Sequence, residues 1–410
     1  MKKVSAVLIG AGGRGEGAYG SYILAHPDEI SLVAVAEPRA QKRDLVGEAH
    51  GIPEGMRFHS WEELLSKPKL ADAAIICTQD KMHYGPAVEA IARGYHVLLE
   101  KPMAVDPVEC MAIAELAQKK GTILSVCHVL RYTDFFIMVK KLLDEGAIGR
   151  LISIQHNENV GYWHQAMSFV RGPWSNSDES SPMILAKCCH DMDIMAWFAG
   201  AGCASVSSYG SLTYFKKENA PPGAPEFCQD GCPHEAECPW HAPRYYMGNY
   251  FFDWATGCPK DAPEEAKLDA LRASDHGRCV YKCGNNVVDH QVACAVFDNE
   301  VTAAFTMCAF TNDCNRTLKL MGTHGEIRGD FNKNEIEVTE FLTGSKRVVS
   351  TAPSATGAEE DEVGHGGGDY GIMRDFTELV SSGDVGKAAA IASISLQGHL
   401  MAFAAEKSRL

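Results

Sequence analysis

The chain has 410 residues, 46% hydrophobic and 22% charged, the balance of a globular protein with ample length for a large core. Its formal net charge of −15 repels phosphate backbones and argues against a nucleic-acid partner. No apolar stretch of sequence approaches the roughly 20 residues that span a bilayer, so no membrane is expected. The lysine-led N-terminus runs into a glycine-rich turn with Arg14 and Glu16 instead of a small-residue cleavage site, so the expected compartment is the cytoplasm.

KVSAVLIG (3–10) is an apolar, β-branched run that predicts a buried strand. Gly10-Ala11-Gly12-Gly13-Arg14-Gly15 follows, then a helix-compatible stretch to about His26. SLVAVAE (31–37) is a second buried strand, followed by a helix through QKRDLVGEAHG. ADAAIICT (71–78) is a strand, PAVEAIARG (86–94) a helix, and YHVLLE a strand. VECMAIAELAQKKG (108–121) is a helix with lysines in its last turn and a glycine stop, and TILSVCHV is the next strand. Strands alternating with helices predict an α/β domain over 1–127, a parallel sheet wrapped by helices.

Beyond about residue 130 the character changes. DFFIMVKKLLDEGAIG reads as a helix, RLISIQHNENVGYWH as a strand and PMILAKCCHDMDIMAWFAG as one helix. Residues 211–290 are irregular and rich in Pro, Gly, Cys and charge. VVDHQVACAVFDNEVTAAFTMCAFT predicts a hairpin around Asp298-Asn299, and TLKLMGTHGEIRGDFNKNEIEVTEFL continues the strands with glycine turns. The expected second domain is α+β, 128–356, with a large open, mostly antiparallel sheet and a Cys-rich insertion at about 218–285. An acidic, glycine-rich linker (357–369) leads to a final helix pair within 357–410 that packs back on the core.

The glycine turn follows a buried strand and opens a helix, and an acid ends the next strand. That is the context of a dinucleotide cradle, with glycines for close backbone approach and a helix N-terminus for the pyrophosphate. Gly10, Gly12, Gly13, Arg14 and Gly15 form the expected phosphate loop. Glu37 would bind the ribose hydroxyls and repel a 2′-phosphate, which favours NAD over NADP; Arg39, two residues on, opposes that preference.

His96-Val97-Leu98-Leu99 run straight into Glu100, Lys101 and Pro102. In a doubly wound sheet, ligands bind beyond the carboxyl ends of the strands. A lysine there reaches the cleft and stabilises a substrate oxygen. An ordinary surface Glu–Lys pair is the competing reading.

The EKP motif, the preceding GAGGRG turn and TQDKMH (78–83), with GAIGRL (146–151), HDMDIMAWF (190–198) and GTHGEIRGD (322–330), together resemble the glucose–fructose oxidoreductase / inositol dehydrogenase / MocA (Gfo/Idh/MocA) family over nearly the whole chain. The resemblance implies a Rossmann domain, an open-sheet domain that mediates homo-oligomers (dimer or tetramer), NAD, and a pyranose, inositol or polyol substrate. It implies that Lys101 is the catalytic lysine, that Glu100 neighbours it, and that Thr78 and His83 line the cofactor. It also implies that His190 is the active-site histidine. One turn before His190, where the family often has aspartate, this chain has Ala186, and Lys187 beside it is a candidate to take over the binding role. VGYWHQAMSFVRGPW (160–174), AKCCHDMD and GRCVYKC (277–283) mark a subgroup that resembles sugar or glycoside dehydrogenases.

Read from the residues alone, His190 is more readily a core histidine than a proton carrier, although its intrinsic pKa suits the latter and the resemblance favours it. His164, Arg171 and Trp174 lie in a polar–aromatic loop suited to a sugar pocket or to plain packing. Arg131 and Tyr132 follow the last Rossmann strand and face the cleft or join the domains. Asp275, His276, Arg278 and HGGGD (365–369) are weaker candidates, the last a hinge or a loop near the site.

Of fifteen cysteines, Cys77, Cys127, Cys294 and Cys308 sit in strand-like surroundings. Cys228, Cys232 and Cys238 lie close together, with Cys258, Cys279 and Cys283 further on. Such thiolates suit a structural zinc or iron–sulfur centre substituting for a missing core; reduced thiols or a loop disulfide are the alternative. Three functions follow. The first is an NAD-dependent oxidoreductase acting on a sugar, glycoside or polyol. The second is an NAD-retaining glycoside-cleaving enzyme working by transient oxidation and elimination. The third is a silent NAD-binding sensor, suggested by Ala186.

Overall fold

The computed structural model describes residues 2–249, 251–351 and 365–410. Its first sheet has six parallel strands: β1 (Val4–Ile9), β2 (Ile30–Ala36), β3 (Arg57–Phe58), β4 (Ala73–Ile76), β5 (His96–Leu99) and β6 (Leu124–Val126), in the order β3-β2-β1-β4-β5-β6. β1 lies near the middle, between β2 and β4, and its residues are almost wholly buried, as a strand covered on both faces requires. The helix Pro107–Lys120 shows why the sequence stops and starts where it does. The Asp106 carboxylate accepts from the Val108 N–H at 2.8 Å, Pro107 opens the first turn, Lys119 and Lys120 sit in the last, and Gly121 ends it at φ +64°.

The second sheet has eight strands: β7 (Leu151–Asn159), β8 (Cys203–Ser211), β9 (His290–Phe297), β10 (Thr302–Cys308), β11 (Asn315–Gly322), β12 (Gly325–Asp330), β13 (Glu335–Glu340) and β14 (Lys346–Ser350), in the order β14-β13-β12-β11-β7-β10-β9-β8. Only β7 and β10 pair in parallel. Alternation sets the faces: in β9, Ala293, Ala295 and Phe297 are buried while Val292, Cys294 and Val296 are exposed. The buried face packs on Phe135, Phe136, Val139 and Leu142 of helix Asp134–Asp144 and on helix Cys189–Ala199.

Several local expectations change. β8 escapes the periodicity reading because its nine residues are mostly Ser and small side chains, with Ser208 its one fully buried position. The predicted strand through His164 ends at Asn159, and Gly161 (φ +79°) turns the chain into a helical stretch over 162–170. The single helix expected over 182–200 is two, Met183–Ala186 and Cys189–Ala199, separated at Lys187-Cys188.

The insertion holds three short helices, Ala242–Tyr246, Phe252–Thr256 and Glu264–Arg272. Its expected metal centre is corrected: among the described residues no three His, Cys, Asp or Glu side chains converge as a metal site, and all fifteen cysteines, Cys228, Cys232 and Cys238 included, are free thiols. Closure comes from an apolar cluster of Phe215, Trp240, Val280 and Tyr281 and from Arg171. Arg171 donates from Nε to the Arg278 carbonyl and from Nη2 to the Trp240 carbonyl, both at 2.7 Å. Its expected role in gripping substrate is therefore corrected, because its buried guanidinium is spent on the insertion's backbone.

The last two helices, Gly368–Ser382 and Val385–Arg409, tie the halves together. By length and composition Val385–Arg409 could cross a membrane. Here it packs inside the protein, against helix Cys189–Ala199, β8 and β6. At Gly398 a Cβ would meet the Asp193 Cα at 2.8 Å, so only glycine permits this approach. Beside it Arg131 donates to both carboxylate oxygens of Asp193, and to Ser395 Oγ at 3.2 Å. Tyr132 OH donates to Asp375 at 3.2 Å. Both residues join elements, the second of the two places expected for them, and neither side chain is left to bind substrate as the first would require.

Asp193→Ala leaves the buried Arg131 guanidinium without its counter-ion. The expected loss is roughly 3–5 kcal/mol of stability, read from the midpoint of urea denaturation.

Candidate active site

The glycine loop is shaped by what each position touches. Gly10 adopts φ +92°, and a Cβ there would stand 2.5 Å from the Cys77 carbonyl oxygen at the end of β4. A Cβ at Gly15 would strike the Gly10 carbonyl. At Gly12 and Gly13 a Cβ would meet nothing, so these two face open space at the start of the first helix. Closed on the protein side and open on the other, the loop fits a dinucleotide pyrophosphate.

Glu37 follows β2 and is buried. Its carboxylate accepts from the Ala11 N–H at 2.9 Å, which pins the glycine loop, and from Arg39 Nε at 2.6 Å. Burial pushes the carboxyl up, but the hydrogen bonds from Arg39 and Ala11 outweigh it and hold it below the ordinary range.

Arg14 is the hub beneath the cleft. Its Nε donates to Glu100 at 2.6 Å, its Nη2 to Tyr19 OH and to Asp369 at 2.7 Å, and its Nη1 to Asp369 at 3.0 Å. Tyr19 OH donates to the same Glu100 oxygen at 2.6 Å. Glu100 in turn accepts the backbone N–H of Lys101 at 2.9 Å. The acid at the end of β5 is thus inside the protein because it is the counter-ion of Arg14. Burial raises the Glu100 carboxyl and Arg14 more than offsets it, leaving it lowered and ionised.

Lys101 Nζ crosses to the second domain and donates to the Ala186 carbonyl at 2.7 Å. His83 steadies the chain on either side: its ring nitrogens lie 2.6 Å from the Pro102 carbonyl and 3.0 Å from that of Thr78. Both nitrogens face backbone, so His83 braces this strand end and its ring has no nitrogen left for a ligand. Thr78 Oγ1 donates to the Met82 carbonyl at 3.1 Å. Trp174 lies at the rim, its indole N–H 3.4 Å from Asp80, whose other oxygen accepts from Ser181 at 3.0 Å.

His190 is buried, with Nδ1 enclosed and without a partner. Burial first, then Lys101, His128 and His365, hold its pKa well below the ordinary imidazole value. His164 lies 3.5 Å from Lys187 Nζ and is likewise held low, by burial and then by Lys187 and Lys101. Lys187 Nζ is also 3.6 Å from Glu158 of β7. Arg316 of β11 stands 2.5 Å from the other Glu158 oxygen and 2.9 Å from Asp191.

The structure therefore brings together Lys101, His190, Lys187 and His164 of the predicted residues, below the phosphate loop and Glu37. Two residues, Glu158 and His128, escaped the sequence reading of the site. Glu158 looked like one polar residue of an alternating strand. His365 and Asp369 belong to the HGGGD segment, expected as a hinge or a loop near the site, and Asp369 ties it to Arg14. The His365 ring centre lies 6.1 Å from that of His190, and its Nδ1 lies 3.3 Å from Asp369. His128, whose ring centre is 5.6 Å from that of His190, is buried with both nitrogens unpartnered.

Residues 4–128 match the model of an oxidoreductase family with an NAD-binding Rossmann fold, and residues 140–351 the C-terminal α/β domain of that family, Gfo/Idh/MocA. YteT of Bacillus subtilis (strain 168), named as an oxidoreductase, is 24% identical over 85% of this chain and 82% of its own length. The NADP-dependent scyllo-inositol 2-dehydrogenase IolW of the same organism is 30% identical, over 32% of this chain and 34% of its own. Levoglucosan dehydrogenase, solved with NADH and levoglucosan, superposes with a TM-score of 0.69 at 17% identity, covering 99% of this chain and 97% of that one.

Asp369 is held down to about 2, against burial, by hydrogen bonds from His365 and Arg14. Its folded value lies below the unfolded one, near 3.8. Its contribution is complete above about pH 4 and is lost as pH falls toward 2, on the order of 2 kcal/mol. Asp369→Asn should flatten the acid limb of stability, measured as urea midpoints between pH 5 and pH 3 in variant and wild type.

Proposed function

The chain belongs to the Gfo/Idh/MocA oxidoreductase family, and from that premise we propose that it is an NAD-dependent dehydrogenase of a sugar, glycoside or polyol. The observation that carries the reading is the meeting of Lys101 and His190. One ends a Rossmann strand and the other opens a helix of the second domain, yet the ammonium is hydrogen-bonded one turn ahead of the imidazole. The inositol and levoglucosan dehydrogenases among its relatives and structural neighbours support net oxidation over redox-neutral glycoside cleavage.

NAD would supply a hydride acceptor for the carbon that bears the reacting hydroxyl. The loop Gly10–Gly15 would hold its pyrophosphate, Arg14 and Glu100 fix the loop and the strand end beneath it, and Thr78 and Glu100 would lie toward its nicotinamide. Lys101 donates to the substrate oxygen and stabilises its developing negative charge. His190, kept neutral by burial and by Lys101, accepts the hydroxyl proton at Nε2, since Nδ1 is enclosed. A neutral imidazole is the form that oxidation requires, and its depressed pKa keeps it available well into the acid range. Trp174 covers the rim, and His164 and Lys187 form the far wall.

Glu37 at the ribose end supports NAD over NADP through repulsion of a 2′-phosphate. The expected result is tighter binding of NADH than NADPH by fluorescence titration, with the ratio narrowed in Glu37→Ala. Lys101→Ala should lower kcat by about 10²–10⁴-fold while NADH still binds. Wild-type turnover in that variant, followed at the NADH absorbance with a sugar panel, would remove the proposal.

A further inference from the structure

We propose that His365 relays the hydroxyl proton from His190 to solvent. The inference rests on the dehydrogenase reading and extends it from the reacting hydroxyl to the outlet of its proton.

Oxidation of an alcohol gives up a hydride to NAD and a proton to His190 Nε2, and that proton must leave before the next turnover. His190 is buried and its Nδ1 is enclosed. An imidazolium there is disfavoured by burial and then by the Lys101 ammonium. The proton therefore passes to a neighbouring group.

The charged or titratable groups that act on His190 are Lys101, His128, His365 and Arg316. The ammonium and the guanidinium are donors only and accept no proton. His128 is buried, and the way beyond it is closed. The ring centre of His399 lies 5.0 Å from that of His128, but His399 Nδ1 faces the Ser395 carbonyl at 2.8 Å and its Nε2 accepts the Met103 N–H at 2.9 Å. Asp193, 3.6 Å from His128, is claimed by Arg131. That route ends inside the protein. His365 leads outward: its ring centre lies 6.1 Å from that of His190, a separation that one water spans, and its side chain is 41% exposed among the described residues.

The surroundings of His365 suit a ring that takes and gives a proton. The buried Asp369 carboxylate, held by Arg14 at 2.7 and 3.0 Å, lies 3.3 Å from His365 Nδ1. It fixes a proton at Nδ1, leaves the lone pair on Nε2, and stabilises the imidazolium once Nε2 is protonated. The protein around the ring, Arg14 and Lys187 included, lowers the His365 pKa and Asp369 raises it, whereas burial and cationic neighbours all act against a proton on His190. The backbone sets the ring in place. His365, Gly366 and Gly367 take φ +61°, +59° and +80°, a left-handed turn that strains a non-glycine residue. At Gly368 a Cβ would stand 2.3 Å from the Val129 carbonyl oxygen, so the start of helix Gly368–Ser382 is pressed onto the chain that follows β6. The transfer balances: the substrate O–H bond breaks, an N–H bond forms on His190 and then, through water, on His365 Nε2, and one proton reaches solvent for each NADH.

The test follows the first turnover of the NAD-loaded full chain by stopped flow, in weak buffer with a pH-indicator dye and the best substrate of the sugar panel. In the wild type, proton release should keep pace with the NADH absorbance. His365→Phe and His365→Gln should still form NADH in that turnover, while proton release falls behind it by at least about 10-fold, and steady-state turnover falls too. The glutamine keeps a hydrogen bond to Asp369 but has no titratable group, so a purely structural role survives it and a relay does not. Added imidazole buffer should bring release back to within about 3-fold of the wild type. NADH fluorescence titration verifies that each variant is folded. Release in step with NADH in His365→Gln, a lag that imidazole leaves unchanged, or loss of the first-turnover NADH overturns this inference and leaves the dehydrogenase reading standing. NADH binding by the wild type without oxidation of any compound removes both.

Discussion

The site depends on one half-buried cation. Arg14 rises from the glycine loop into contact with Glu100 at the end of β5 and Asp369 at the start of helix Gly368–Ser382. Three segments far apart in sequence are locked by one guanidinium fork, with Tyr19 closing the fourth side. The carboxylates stay ionised although buried because Arg14 offsets the cost of their desolvation. Loop position, strand end and the His365 segment are thus set together: Lys101 takes its backbone direction from Glu100, and His365 its place from Asp369.

The second constraint is the distribution of charge around the reacting groups. Four cations, Arg14, Arg316, Lys101 and Lys187, stand among four carboxylates, Glu100, Asp369, Asp191 and Glu158, with Arg14 and Arg316 each shared by two acids and Lys187 paired with Glu158. The histidines between them are desolvated and lie close to Lys101, Lys187 and Arg316, so they stay neutral. The same arrangement leaves His190 neutral, the form of a proton acceptor.

Much of this was legible along the chain. The glycine loop between a buried strand and a helix, the acid ending the next strand, and the lysine at the end of β5 are local patterns, with reach limited to a strand and its turn. Lys101 stood out because it ends an apolar strand at the carboxyl edge of the sheet, whereas His190 was marked by the family resemblance. The misreadings have a common cause. Arg131 and Arg171 are polar residues beside the site, and nothing local says whether such a side chain turns to the cleft or to a buried partner. Their partners, Asp193 and the Arg278 and Trp240 carbonyls, come into range only on folding. Glu158 was passed over for the converse reason, since its importance lies in the cations it meets. The cysteines invited a metal because thiols near in sequence look convergent, whereas the insertion is closed by Arg171 and aromatic packing.

The sequence by itself determined the alternation of strands and helices, the phosphate loop, the strand-end lysine and the change to a sheet with one open face. Each is fixed by the period of side-chain burial and by the backbone preferences of a few residues, both properties of neighbours along the chain. Tertiary structure alone decided which charges pair. It broke the predicted helix at Lys187, set Lys101 against the Ala186 carbonyl, and drew helix Val385–Arg409 between the domains through Gly398 and Ser395. Those outcomes depend on distances between segments up to several hundred residues apart, and a Coulombic or hydrogen-bonded contact exists only once folding has closed that distance and excluded the water between.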